Sequence, residues 1–133
     1  MRIWLATEDW PPKSGGLSRW SHDTAATLAR LGHHVTVLAR RAAPTDDLNG
    51  LRVLGVSGSS FDLLGFAHFA MAFRRCARSQ GRAPDAILCS TWHVAEGALL
   101  SGAGAPVICA VMGKEVFERR RGSPARRRRV LER

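Results

Sequence analysis

The chain has 133 residues, 45% of them hydrophobic, which suits one domain with a core of its own and leaves little material for a second. Its net charge of +9 is concentrated at one end: residues 119–133 carry eight arginines against the single acid Glu132, whereas the rest holds twelve Lys or Arg against ten Asp or Glu. No run approaches the ~18 apolar residues of a membrane-spanning helix, and Glu8 and Asp9 interrupt the apolar start too early for a secretory leader.

In chain order, residues 2–6 read as a buried strand, followed by the loop Pro11-Pro12-Lys13-Ser14-Gly15-Gly16. A helix is predicted from about Leu17 to Leu31, with Leu17, Trp20, Thr24, Leu28 and Leu31 at helical spacing and Gly32 as its stop. Residues 34–39 form a second strand, residues 46–50 (Asp-Asp-Leu-Asn-Gly) a turn, and residues 51–56 a third strand. A helix over about 61–79 presents Leu64, Phe66, Phe69, Ala70, Phe73 and Cys76. Residues 86–90, 93–100 and 106–111 complete the alternation as strand, short helix and strand. Gly122-Ser123-Pro124 should break any helix that starts near Glu115. Alternating strands and helices predict an α/β, Rossmann-like parallel sheet with right-handed crossovers and helices on both faces.

The loop is the chemically suggestive part. Gly15 and Gly16 let backbone amides approach a ligand, and a helix N-terminus beyond the carboxyl end of a parallel strand favours an anion such as a diphosphate. Lys13 either adds a point charge there or is simply solvated, and the glycine pair serves either a ligand or a tight turn. His93 and His22 are each placed either to reach substrate hydroxyls or to play a structural part, and Trp10 and Trp92 either stack on a sugar or close the core. Cys76, Cys89 and Cys109 form no Cys-x-x-Cys pair, which predicts buried reduced thiols in a cytosolic chain. The glycine loop does not follow Gly-x-Gly-x-x-Gly, and no zinc-protease or nucleophile-elbow motif occurs.

Three segments carry a family resemblance. Pro11-Pro12-Lys13-Ser14-Gly15-Gly16-Leu17 and Gly32-His33-His34-Val35-Thr36-Val37 resemble the glycine loop and second strand of the N-terminal lobe of family-4, GT-B-fold glycosyltransferases. Asp85 to Trp92 resembles that family's Asp-Val-Val-His-x-His-x-Trp segment, and Val111-Met112-Gly113-Lys114-Glu115 its hydrophobic-His-Gly-x-Glu. The resemblance implies an N-terminal, acceptor-side domain over residues 1–118, and the charge distribution sets residues 119–133 apart as an arginine-rich tail. It implies part of a metal-independent, retaining hexosyltransferase with a nucleoside-diphosphate sugar as donor substrate and no cofactor. Substrate contacts then fall to Gly15, Gly16, Lys13, Trp92, His93, Met112, Gly113 and Glu115.

Two departures matter. Met112 stands where the family has histidine, and a thioether neither donates a hydrogen bond nor titrates near neutrality, so no catalytic base is assigned. The family's paired C-terminal glutamates have no counterpart, so a C-terminal lobe on a separate chain, or one lost from this one, is expected to be needed. The alternative is a non-catalytic binding module that uses the arginine tail to dock on a membrane, nucleic acid or a protein partner. Nucleic acid is the weakest of these, because no aromatic residue follows Phe117 to stack on bases. The expected location is the cytoplasm of a bacterium of arginine- and alanine-rich composition, with the inner membrane surface as a possible contact.

Overall fold

Short apolar runs that end in glycine or in charge set the architecture. In the computed structural model, which describes residues 1–40, 42–43, 45–48, 50–57, 65–111 and 124–132, those runs become strands of one sheet. The elements are β1 (Arg2–Thr7), α1 (Gly16–Arg30), β2 (His34–Arg40), β3 (Thr45–Leu48), β4 (Leu51–Val56), α2 (Gly65–Gln80), β5 (Ala86–Cys89), α3 (Trp92–Ser101), β6 (Val107–Cys109) and α4 (Pro124–Leu131). The sheet order is β3-β4-β2-β1-β5-β6. The five strands β4, β2, β1, β5 and β6 run parallel, as the alternation predicts.

One predicted turn is corrected. The segment read as a turn over 46–50 contributes to β3, which pairs antiparallel with β4 through Thr45↔Val53 and Leu48↔Leu51, with an irregularity between these pairs. Asp46 and Asp47 disfavour strand by composition, but an edge strand need satisfy a partner on one side only. Asn49-Gly50 in the sequence is itself a hairpin signal, and Gly50 has the positive φ of 82° that such turns demand.

Two buried clusters lie on the two faces of the sheet. Leu5, Val35, Val37, Ala39 and Val53 pack with Ala25 of α1 on one side. Trp4, Ala6, Leu38, Ile87 and Cys89 pack with Phe69, Phe73 and Cys76 of α2 and with Val94, Ala95 and Ala98 of α3 on the other. The Trp4 and Phe73 rings stack with centroids 6.0 Å apart.

The buried face of α1 differs from the predicted stripe. Ser18, Ser21 and Ala25 are buried, Leu17 and Trp20 are half-buried, and Leu31 is exposed as the residue that ends the helix. Small side chains let the helix axis lie close to the sheet. The apolar face of α2 agrees with the prediction at Phe69, Ala70, Phe73 and Cys76, while Leu64 lies outside the described residues. Cys76 and Cys89 are buried free thiols and Cys109 is a half-buried one. Burial pushes the Cys76 thiol up to about 11 against the opposing pull of Arg52, and burial with the neighbouring Cys109 raises Cys89 further.

Helices α2 and α3 meet at Gly97. A methyl group there would lie 2.8 Å from both the Phe66 carbonyl oxygen and the Phe69 Cβ. Gly97→Ala therefore forces the helices apart, and despite alanine's better helix propensity it should destabilise the fold by about 1–3 kcal/mol. Urea unfolding checks this, with a lower midpoint and an unchanged slope expected.

Candidate functional site at the carboxyl edge of the sheet

The carboxyl ends of the parallel strands place β1's exit loop, the end of β2 and the start of α3 at one edge. Thr7, the last residue of β1, is fully buried, and its hydroxyl is used completely. Oγ1 donates to the Asp9 carbonyl at 3.0 Å and accepts the Asp9 amide at 3.3 Å. Because its one proton is committed, the 2.7 Å bond to Ser21 Oγ is donated by Ser21. That bond ties the first turns of α1 to the end of β1.

Between these anchors the chain turns at Trp10–Lys13, where the Lys13 amide donates to the Trp10 carbonyl at 3.1 Å around a cis Pro11–Pro12 bond. It then enters α1 through Gly15, whose φ of 140° suits glycine and strains other residues. Gly15 is the N-cap residue and offers no side-chain cap, and the first turn of α1 contains no acid. Among the described residues nothing lies within 4 Å of where a side chain would begin at Gly15 or Gly16. The first amides of α1 thus lack side-chain acceptors in an electropositive, sterically open position.

Charges at this edge are largely committed. Lys13 is exposed and pairs with Asp9, so its contribution to a ligand requires giving up a surface ion pair worth about 0.2–1 kcal/mol. Glu8 and Arg40, which follow and end neighbouring strands, pair at 3.8 Å, and the Arg40 guanidinium lies 5.8 Å from the Phe69 ring centroid. A methyl group at Gly65 would approach Arg40 Nη2 to 2.9 Å, so Arg40 also abuts the start of α2. Sequence reasoning missed this pair; a charged residue closing an otherwise apolar strand is the trace it leaves.

Trp92 is buried, and its ring stacks on His93 with centroids 3.6 Å apart. It therefore closes the core at the start of α3, and His93 is held against it. Thr91 caps that helix by accepting the Val94 amide at 3.4 Å. Beside it, Ser90 is fully buried and its hydroxyl has no partner among the described residues. His22 is exposed, with Nδ1 3.3 Å from an Asp23 carboxylate oxygen and its ring 5.6 Å from that of Trp10. Met112, Gly113, Lys114 and Glu115 lie outside the described residues.

Along the same edge a pocket of about 500 Å³ opens between the end of β4 and α2, with Leu38, Val56, Met71 and Cys76 as apolar lining and Ser57, His68 and Arg75 as polar lining. His68 Nδ1 is buried with no hydrogen-bond partner among the described residues. Among the described residues no group of three His, Cys, Asp or Glu side chains could hold a metal ion, and no helix is long and apolar enough to cross a membrane.

This architecture is found in known structures. The catalytic domain of Starch Synthase IV from Arabidopsis thaliana, solved with ADP and acarbose, superposes with a TM-score of 0.61 at 17% identity, over 87% of this chain and 36% of that one. Sucrose-phosphate synthase from Thermosynechococcus elongatus superposes with a TM-score of 0.66 at 12% identity, over 98% of this chain and 39% of that one. The chain thus spans under two fifths of each and has the fold of the N-terminal, Rossmann-like lobe of GT-B glycosyltransferases. A search among curated proteins by sequence returns no match. The sequence profile of the glycosyl transferase 4-like domain matches residues 15–133, from the glycine pair through the arginine-rich end. The chain belongs to that glycosyl transferase 4-like family.

Thr7→Val keeps the strand's shape but strands the Ser21 hydroxyl in an apolar contact, and should cost about 1–3 kcal/mol. In a double-mutant cycle with Ser21→Ala the second substitution should recover part of that loss, as read by urea unfolding.

Proposed function

We propose that this chain is the acceptor-side lobe of a transferase that moves a hexose from a nucleoside-diphosphate sugar to an acceptor hydroxyl. The observation that carries the reading is the uncapped N-terminus of α1 behind Gly15 and Gly16, open to solvent at the carboxyl edge of a family-4-like lobe. Backbone amides at a helix start stabilise a diphosphate without needing a metal or a titrating side chain. The likeness to a starch synthase solved with ADP makes a nucleoside diphosphate the natural first ligand to try.

In this reading Gly15 and Gly16 meet the donor's diphosphate and Lys13 exchanges Asp9 for it. His93, braced by Trp92, and the segment with Met112, Gly113 and Glu115 face the sugar and the acceptor. The pocket beside α2, with His68 on its wall, offers room for the acceptor. A second lobe, on this polypeptide or another, supplies the contacts that select base and sugar, so the 133-residue chain alone binds donor weakly and does not turn over. Free, mostly buried thiols suit a reducing compartment such as a bacterial cytoplasm. Residues 1–118 would form the lobe proper. The arginine-rich end, with Arg129 exposed on α4, suits peripheral contact with anionic lipid.

Titration with ADP, followed by amide NMR shifts, tests the site. The amides of Gly15, Gly16 and Leu17 should move saturably at weak affinity. Gly16→Val, which meets open space, should weaken binding by about tenfold while leaving unfolding unchanged. Unperturbed glycine-loop amides, or sugar transfer by the isolated chain at ordinary enzyme rates, would overturn the reading.

A further inference from the structure

At the opposite end of the sheet, where β1, β2 and β4 begin, lies a second pocket of about 320 Å³. Arg2, His34 and Arg52 line it together with Thr36 and Gln80, and no carboxylate is among its described lining residues. The glycine loop, at the other end of β1, plays no part in it.

The polar groups here are aimed by a chain of hydrogen bonds that starts in the core. Trp4 Nε1–H donates to Gln80 Oε1 at 3.2 Å, and Gln80 Nε2 in turn donates to Thr36 Oγ1 at 3.0 Å. An indole N–H can only donate, so the amide orientation is settled by Trp4. The Thr36 hydroxyl therefore accepts from Gln80 and has a proton left to give. Thr36 is 8% exposed, and no hydrogen bond donated by this hydroxyl is found among the described residues. A buried donor with nothing to donate to is costly unless a ligand or water accepts it.

Two arginines line the same pocket as that donor. Arg2 is steadied by donating Nη2 to the Ala83 carbonyl at 3.1 Å, which leaves it further N–H groups. Arg52 is exposed on β4 and forms no ion pair among the described residues. The pocket thus offers two cations and a hydroxyl donor; the Asp85 carboxylate, which lies outside the lining and accepts the Arg2 backbone amide at 2.7 Å, offsets part of the Arg2 charge, and Arg52 has no such neighbour among the described ion pairs.

We propose that this pocket binds a small phosphate-bearing anion, its oxygens taking the Thr36 proton and the N–H groups of Arg2 and Arg52. A tetrahedral oxyanion accepts from several directions at once, which matches donors supplied by three different strands. The volume leaves room for an organic portion beside His34, so a phosphate ester is accommodated as readily as the free ion.

The Trp4 indole N–H, two hydrogen bonds from the Thr36 hydroxyl, is the built-in reporter. Titrating the full chain with inorganic phosphate, and separately with glycerol 3-phosphate, should shift the Trp4 indole and Thr36 amide resonances saturably at constant ionic strength. Tighter binding of the ester identifies a phosphate ester as the ligand, and equal or weaker binding identifies the free ion. Arg52→Ala, at an exposed position, should weaken binding by about tenfold, and Thr36→Val, which keeps the β-branched shape, by a similar factor. Glycine-loop amides, read in the same spectra, separate this site from the one at the carboxyl edge. The proposal fails if neither probe gives a saturable shift below about 10 mM, if chloride at equal ionic strength reproduces the shift, or if both variants bind as the parent does.

Discussion

A central strand with no solvent-facing side governs this molecule. β1 pairs with β2 on one edge and β5 on the other, and Trp4, Leu5 and Ala6 are buried in succession, on alternating faces. A strand in that position demands cover above and below. α1 supplies it on the face of Leu5, while α2 and α3 supply it on the face of Trp4 and Ala6. Because each crossover must return to the same end of the sheet, every connection that follows a parallel strand emerges at the carboxyl edge. The clustering of Thr7, Arg40, Ser90 and the glycine loop is a consequence of topology before it is a matter of chemistry.

The two ends of the sheet solve different problems. At the carboxyl edge, side chains mostly neutralise each other, as in Asp9 with Lys13 and Glu8 with Arg40, and the open groups are backbone amides. At the amino edge, side chains remain available, and a buried amide and indole aim them. Backbone donors suit an anion whatever else it is attached to. Side-chain donors fixed by the core suit a site that stands alone.

Much of this was legible in the chain itself, for physical reasons. β1, α1 and β2 announce themselves because buried parallel strands are apolar throughout and Gly32 stops the helix between them. β3 did not, because Asp46 and Asp47 are poor strand formers by residue type. The stripe on α1 was misplaced by one position, since hydrophobic periodicity follows large side chains while this helix buries Ser18, Ser21 and Ala25. The Glu8–Arg40 pair arises only through the register of β1 on β2, and the role of Gly97 only through a partner helix, so neither has a local signature. Of the site, the glycine pair was readable as backbone chemistry. Trp92 was ambiguous until its burial and its stack with His93 were seen.

The arginine-rich end takes a definite form in α4, which begins at Pro124, a residue well suited to a first helical turn, and packs on α3 while Val130 reaches the core. Four arginines in succession repel one another, and arginines near the N-terminus oppose the helix dipole, while Arg128 and Glu132 pair at 2.6 Å. Both penalties are screened by mobile ions within a Debye length of about 8–10 Å. Counterions therefore favour this helix. Lower salt strengthens both penalties, so α4 is expected to loosen from α3 on dilution of salt and to tighten in the presence of polyanions.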